Sequence, residues 1–365
     1  MLRMLISHYS KYPYSGKRKR GIGEFLTEKV DSSYWYQQLT TFSERRTLTF
    51  STFIFIKTSP TVGGIKKNEY ICKRNQLSSH TLKDIMEAIS NFGILRESLK
   101  GKEPVRVVAV EANDEHSQWA IRRAEEEGWA KVVNVHCDTV EESAAKAVRM
   151  VRQGEAQAIM KGIVNTDVLL KAVLNKEEGL LPKGAVISHI SAMKLPSYHK
   201  LLFITDVAVI PYPTLEQRRA MIQYAVNLCK VYGIEQPKVA LIHCTEKISP
   251  KFPVTEDYAQ LIEDCHNGMF GPAILGGPID LKCAIDKEAA IIKKLDTPVA
   301  GDSDVLMMPD IQAGNVFYKT VTTITDAEVA VGLQGAACPI SITSRSDSEV
   351  TKYNSLAMAC AQAAR

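Results

Sequence analysis

The chain lacks any apolar run of 18 or more residues, and its N-terminal segment has no uninterrupted apolar stretch. Neither a membrane-spanning helix nor a secretory signal is therefore expected. Its eight cysteines, Cys72, Cys137, Cys229, Cys244, Cys265, Cys283, Cys338 and Cys360, are scattered without a CxxC pair. That excludes a zinc ribbon and a disulfide framework and fits a reducing, cytoplasmic setting, with the thiols acting as small packing groups. No repeat of 20 to 50 residues occurs, which removes the solenoid and propeller classes.

What is present is a 365-residue chain, 45% hydrophobic and 24% charged, long enough for two domains with their own cores. The formal charge of +4 is unevenly spread. Residues 1–75 hold 14 Lys/Arg against 5 Asp/Glu, and 12 of the 26 aromatics, while the rest is net acidic. This first stretch shows no sustained helical or strand period. Its cluster Lys17, Arg18, Lys19 and Arg20 among aromatics is a pattern nucleic acid can use, but short charge runs are far commoner than binding modules. The expectation is a poorly ordered, basic, aromatic-rich extension over residues 1–76 and no nucleic-acid partner.

From residue 104 onward short β-rich runs alternate with helix-period segments. VRVVAVEA (105 to 112) precedes a helix over 119–127, and AQAIMKG (156 to 162) precedes one over 168–174. Such alternation predicts an α/β fold with a mainly parallel sheet, with ligands beyond the carboxyl ends of its strands. Lys161, Asn165, Thr166, Ser188, His189, Thr205, Asp206, Ser344 and Arg345 are placed there. Thr214 and Gln217 have capping-box spacing, with Gly233 as a stop, so a helix opens at 214 and with it a second domain.

Two segments carry most of the candidate chemistry. VAGDSDVLMMPDIQAGNVFYKT (299 to 320) and TSRSDS (343 to 348) each lead from a polar loop into a helical pattern, and helix starts offer unpaired N–H groups to anions. Arg345 has a planar fork suited to phosphate; the plainer alternative is a surface arginine at an ordinary helix start. Ser346 and Glu349 have capping-box spacing for the helix that follows. Asp347 is either a base or a first-turn carboxylate complementing the helix dipole. Asp302 and Asp304 lack a third ligand for a metal and read as loop caps.

Together with MKGIVNTDVLLKAVLNKEEGLLPKG (160 to 184), SHISAM (188 to 193), LLFITDVAVIPYPTLEQRRA (201 to 220) and GIEQPKVALIHCTEKISPKFP (233 to 253), these segments resemble the phosphate acetyl/butyryltransferases, in the same order along the chain. KGIVNT, TSRSDS and LFITD are closer to the butyryl branch. The resemblance covers residues 77–365. It implies the two-domain α/β fold shared with the isocitrate and isopropylmalate dehydrogenases, with mainly parallel sheets and an interdomain cleft for substrates. Residues 77–213 plus 331–365 would form the first domain and 214–330 the second. Relatives usually insert a helix and strand between the positions of Trp129 and Thr139, which this chain lacks.

By the same resemblance, Ser344, Arg345 and Asp347 are the expected catalytic group. Lys161, Asn165, Thr166, Lys171, Ser188, Gly314, Asn315 and Lys319 are the expected substrate-binding group, with Gly314, Asn315 and Lys319 matching GNxxYK. Lys171 stands near an acetyl-branch arginine that binds phosphate. The implied reaction is reversible, butyryl-CoA and phosphate giving butyryl phosphate and CoA by direct transfer in a ternary complex. Acetyl or other short-acyl specificity is the alternative, and a non-catalytic CoA- or nucleic-acid-binding protein the rival of a different class. Acyl-CoA and phosphate are the partners, CoA being substrate or product; no metal, cofactor or membrane is expected, and the assembly is a homodimer or larger homo-oligomer.

Overall fold

The computed structural model describes residues 88–364 and, before them, the backbone of four strands. The chain divides into two compact units, Met1–Met86 and Glu87–Arg365. In the first, β1 (Leu26–Val30), β2 (Tyr34–Phe42), β3 (Leu48–Lys57) and β4 (Tyr70–Asn75) form an antiparallel sheet in chain order, although the sequence shows no sustained strand period there. The cluster at residues 17–20 lies outside the described residues.

The second unit is built on one ten-stranded sheet. Its strands are β5 (Val105–Val110), β6 (Ala130–Val135), β7 (Ala158–Lys161), β8 (Ser188–Lys194), β9 (Leu201–Thr205), β10 (Lys238–Ile242), β11 (Ile274–Ile279), β12 (Val305–Met307), β13 (Glu328–Gln334) and β14 (Ile340–Ser341), in the order β11-β10-β12-β9-β8-β13-β14-β7-β5-β6. Six of the nine neighbouring pairs are parallel; the antiparallel ones join β9 to β8, β8 to β13 and β13 to β14. Strands of both proposed domains share this sheet. β6 is one edge of it and runs straight on to the next helix, as the sequence suggested. Val133 is accordingly 55% exposed.

Central strands such as LLFIT of β9 are buried at every position because helices cover both faces. The described helices are α1 (Phe92–Glu97), α2 (Glu115–Glu126), α3 (Val140–Arg152), α4 (Thr166–Val173), α5 (Leu215–Val231), α6 (Val254–His266), α7 (Leu281–Ile285), α8 (Lys287–Ile292), α9 (Ile311–Ile324) and α10 (Glu349–Ala363). None of these is long and apolar enough to cross a membrane. The starts of α2 and α4 fall earlier than the sequence pattern suggests, because Asp114 and Asn165 are their N-caps. The capping box of Thr214 with Gln217 is present on α5, and Gly233 follows that helix at φ 76°.

α10 is buried from Lys352 through Ala361, all the way round, so it is a core helix rather than a surface one. Its cap differs from the expected Ser346–Glu349 box. Ser344 and Asp347 close a turn first, the Asp347 N–H donating to the Ser344 carbonyl at 3.2 Å, so the helix starts later and Ser348 accepts from the Thr351 N–H.

Alternation along the strands sorts residues onto two faces. On β13, Ala330 packs into the core that contains α10, whereas Val329 and Val331 pack on the opposite side of the sheet. α9 crosses the exit of β9 at very close range. A Cβ added at Gly314 would lie 2.1 Å from the Asp206 carbonyl oxygen, so only glycine lets the two backbones touch. Gly314→Ala should lower stability by about 1–3 kcal/mol through overpacking, seen as a reduced melting temperature. A melting temperature equal to that of the unaltered chain would show that α9 does not need this contact.

Candidate active site

The antiparallel strands bring opposite strand ends together. β8 runs against β9, so the start of β8 lies beside the end of β9, and the segment leaving β14 emerges nearby. A cavity of about 170 Å³ opens there. One part of its wall is apolar, from Val207, Val209, Val331, Leu333 and Ile342; another is polar, from Thr166, His189, Asn315, Lys319, Ser344 and Asp347.

Asp206 holds the floor in place. Its Oδ1 accepts from the Ala208 and Val209 N–H groups at 2.7 and 2.8 Å, and its Oδ2 from the His189 N–H at 3.0 Å. With three backbone donors and 1% exposure it braces the 206–209 turn against β8. Asn315 on α9 clamps the same turn, its Nδ2 donating to the Val207 carbonyl at 3.0 Å. Gly314 sits behind this contact and makes it possible.

The 343–348 loop is tied down from beneath by Lys161. This lysine is 2% exposed at the end of β7, and its ammonium donates to the Thr343 carbonyl at 2.9 Å and the Gly162 carbonyl at 3.2 Å. Burial, followed by the neighbouring Lys352 and Arg345 charges, brings its pKa down to about 8, against the opposing pull of Asp347 and Asp114. Lys352 is the second buried lysine here. It donates to Ser117 Oγ at 3.0 Å and lies 3.5 Å from Asp114. The sequence reading missed it, because Lys352 stands among the polar residues Thr351, Asn354 and Ser355 and gives no local signal of burial.

Asp347 faces this group of ammoniums. Burial raises its pKa above the ordinary aspartate value; a 2.7 Å bond from the Ser344 N–H and the charges of Lys319, Lys352 and Lys161 offset that only in part. It precedes the Ser348 cap, so it is not a first-turn carboxylate of α10; Glu349 holds that position.

Five of the sequence-chosen residues, Thr166, Asn315, Lys319, Ser344 and Asp347, line the cavity together. Others stand elsewhere. Arg345 staples two loops, Nε donating to the Ile163 carbonyl at 3.0 Å and Nη2 to Asn165 Oδ1, which uses two of its five N–H donors and leaves the rest on an exposed guanidinium. Asn165 is thereby engaged as well. Ser188 falls on the sheet face opposite His189 by strand alternation; it is fully buried and bonded to Thr205 at 3.0 Å. Both serve as the opening of β8, not the carboxyl end of a strand. Lys171 lies exposed in the last turn of α4, outside the cavity wall. His189 lines the cavity, and Thr343, which sequence reasoning passed over, lines it too.

Asp302 and Asp304 are ion-paired, and Asp304 Oδ2 also accepts from the Lys238 backbone N–H at 2.8 Å, a backbone contact of the kind expected of a loop cap. Lys238 and Lys200 reach Asp302 at 2.6 and 2.9 Å, and Lys200 reaches Asp304 at 2.8 Å. Cys229, Cys283, Cys338 and Cys360 are buried, and burial raises each thiol, as expected of packing groups.

Residues 96–360 match the family model described as phosphate acetyl/butaryl transferase. The chain is 37% identical to the phosphate butyryltransferase of Clostridium acetobutylicum over 294 residues, covering 74% of this chain and 97% of that one. It is 39% identical over 223 residues to a phosphate acetyltransferase of Rhizobium meliloti, covering 61% and 70% respectively. The crystal structure of a branched-chain phosphotransacylase from Enterococcus faecalis V583 superposes with a TM-score of 0.64 at 29% identity, covering 71% of this chain and 99% of that one. With the family model matched over residues 96–360 and almost the whole length of the Clostridium and Enterococcus relatives covered, the chain belongs to the phosphate acetyl/butyryl transferase family and is an acyltransferase.

Proposed function

We propose that the protein is a phosphate butyryltransferase, interconverting butyryl-CoA plus phosphate and butyryl phosphate plus CoA. The carrying observation is the cavity itself, a polar end with a raised carboxyl directly beside an apolar wall. The Clostridium relative named for this reaction supports the same reading. Acyl-CoA and phosphate are the partners, and a homo-oligomer in the cytoplasm belongs to the same proposal.

Both the thioester and the acyl phosphate are activated, so the reaction calls for positioning and charge stabilisation rather than a metal or redox cofactor. In the acyl-phosphate-consuming direction Asp347 takes the thiol proton of CoA. The thiolate sulfur then bonds to the acyl carbon, the bond from that carbon to the phosphate oxygen breaks, and phosphate leaves with the electron pair. Lys319, Asn315 and Ser344 steady the phosphate from the cavity wall. Arg345 and Lys161 act one step back, holding the 343–348 loop in place.

With Asp347 as the base, the acid limb of the rate in this direction should lie above the ordinary aspartate range, because burial keeps the carboxyl protonated to higher pH. Asp347→Asn should abolish the limb and lower turnover by about 10²–10⁴-fold. Lys161→Met should move the limb further up, since it removes a positive charge that opposes protonation. A pH–rate profile of Asp347→Asn that keeps both limb and rate would remove Asp347 from this role.

Chain-length preference follows from the apolar wall. Two further methylenes buried at about 0.8 kcal/mol each give butyryl-CoA roughly a 15-fold advantage in kcat/KM over acetyl-CoA. Initial rates of phosphate-dependent CoA release with acetyl-, propionyl- and butyryl-CoA measure it. An acetyl-CoA rate equal to or above that with butyryl-CoA would assign the chain to the acetyl alternative.

A further inference from the structure

The transfer just described leaves one atom without a partner, the acyl carbonyl oxygen, on which negative charge gathers as the thiolate or phosphate attacks. Two side chains in the cavity wall have unused hydrogen-bonding capacity. His189 is 6% exposed and its Nδ1 is buried with no partner; Thr343 is 3% exposed and its Oγ1 is likewise buried and unpaired. Each orphaned polar group costs about 1–3 kcal/mol, and folded proteins rarely leave them without a reason. Here both occur on the wall of a single small cavity.

Their backbones are fixed by the contacts already described. The His189 N–H is bound to Asp206 and the Thr343 carbonyl receives the Lys161 ammonium, which anchors both residues at the cavity wall. They also adjoin the apolar wall. Leu333 lies directly across the β8–β13 ladder from His189, and Ile342 immediately precedes Thr343. An acyl chain resting on Leu333 and Ile342 brings its carbonyl to these two groups.

We propose that His189 and Thr343 seat the acyl carbonyl oxygen and each donate a hydrogen bond to it in the transition state. This rests on the acyl-transfer reading of the cavity. As the sulfur–carbon bond forms, the carbonyl electron pair moves to oxygen and is met by the imidazole N–H and the threonine O–H. When the pair returns, the carbon–oxygen bond to phosphate breaks, and both protons stay on their residues. Burial lowers the His189 pKa, the Lys319 charge adds to that, and Asp206 opposes it. A neutral ring with one N–H is what this role needs, since it donates without giving up a proton.

The test compares kcat and KM for phosphate-dependent CoA release from butyryl-CoA by the full chain and by four variants, with melting temperatures as a check on folding. Thr343→Val deletes the hydroxyl at nearly constant shape and should lower kcat by about 10²–10³-fold, with KM changed less than about threefold. Thr343→Ser keeps the donor and should stay within about tenfold of the unaltered chain. His189→Gln, which retains an N–H, should exceed His189→Leu in kcat. Should either His189 variant fail to fold, the Thr343 pair decides alone. Equal kcat for Thr343→Val and the unaltered chain, equal losses for Val and Ser, or a loss confined to KM each overturn the proposal. An unaltered chain that releases no CoA overturns the acyl-transfer reading and this proposal with it, whereas an active one beside an equally active Thr343→Val overturns this proposal alone.

Discussion

The bond from the Lys161 ammonium to the Thr343 carbonyl is the contact on which the site depends. It joins the end of β7 to the segment leaving β14, two strands that are parallel neighbours yet far apart in sequence. Hydrogen bonds from charged donors typically contribute about 1.5–3 kcal/mol, but burying the ammonium opposes that gain, as its depressed pKa records. The lysine is thus a poor device for stability and a good one for placing a loop. The same charge sits close enough to Asp347 to restrain the rise that burial gives that carboxyl. One side chain therefore fixes the loop's position and helps to set the protonation of its acid.

Sheet topology makes this arrangement possible. A wholly parallel sheet would put all its strand ends at one edge and all its starts at the other. Three successive reversals, between β9 and β8, β8 and β13, and β13 and β14, set the start of β8 beside the ends of β9 and β13, and the two-residue β14 leaves the sheet only a residue further along the ladder. Asp206 then locks the junction through backbone N–H groups on both sides of it. Glycine at position 314 allows α9 to lie against the Asp206 carbonyl and to present Asn315 and Lys319 to the cavity.

Local rules read well from this sequence where local forces decide the outcome. The Thr214–Gln217 box, Gly233 and the strand–helix alternation all have causes within a few residues of themselves. Long-range competition decided the rest. Ser346 had the right spacing to cap α10, but the Ser344–Asp347 turn occupied that stretch and passed the cap to Ser348. Arg345 has the chemistry to grip phosphate, and only the fold reveals that its Nε also reaches an acceptor 182 positions away at Ile163. Ser188 and His189 are adjacent in sequence, and only the sheet reveals that alternation sends one into the core and the other to the cavity.

Acyl-chain preference is the least legible property, for a physical reason. The apolar wall of the cavity, which the proposed reading gives to the acyl chain, includes Val331 and Leu333, consecutive same-face positions of β13, with Gly332 between them facing the other way toward Met358 of α10. As sequence, VGL is an ordinary buried strand and carries no motif. Its width as a wall depends on how closely α10 draws β13 in from behind, through Gly332 and the bond from the Val331 N–H to Ser355. On the proposed binding of the acyl chain, specificity would be set on the face of the sheet away from the substrate as much as on the near one. Such a wall can change width without any change at the polar end, which is consistent with acetyl- and butyryl-named relatives matching this chain at similar identity.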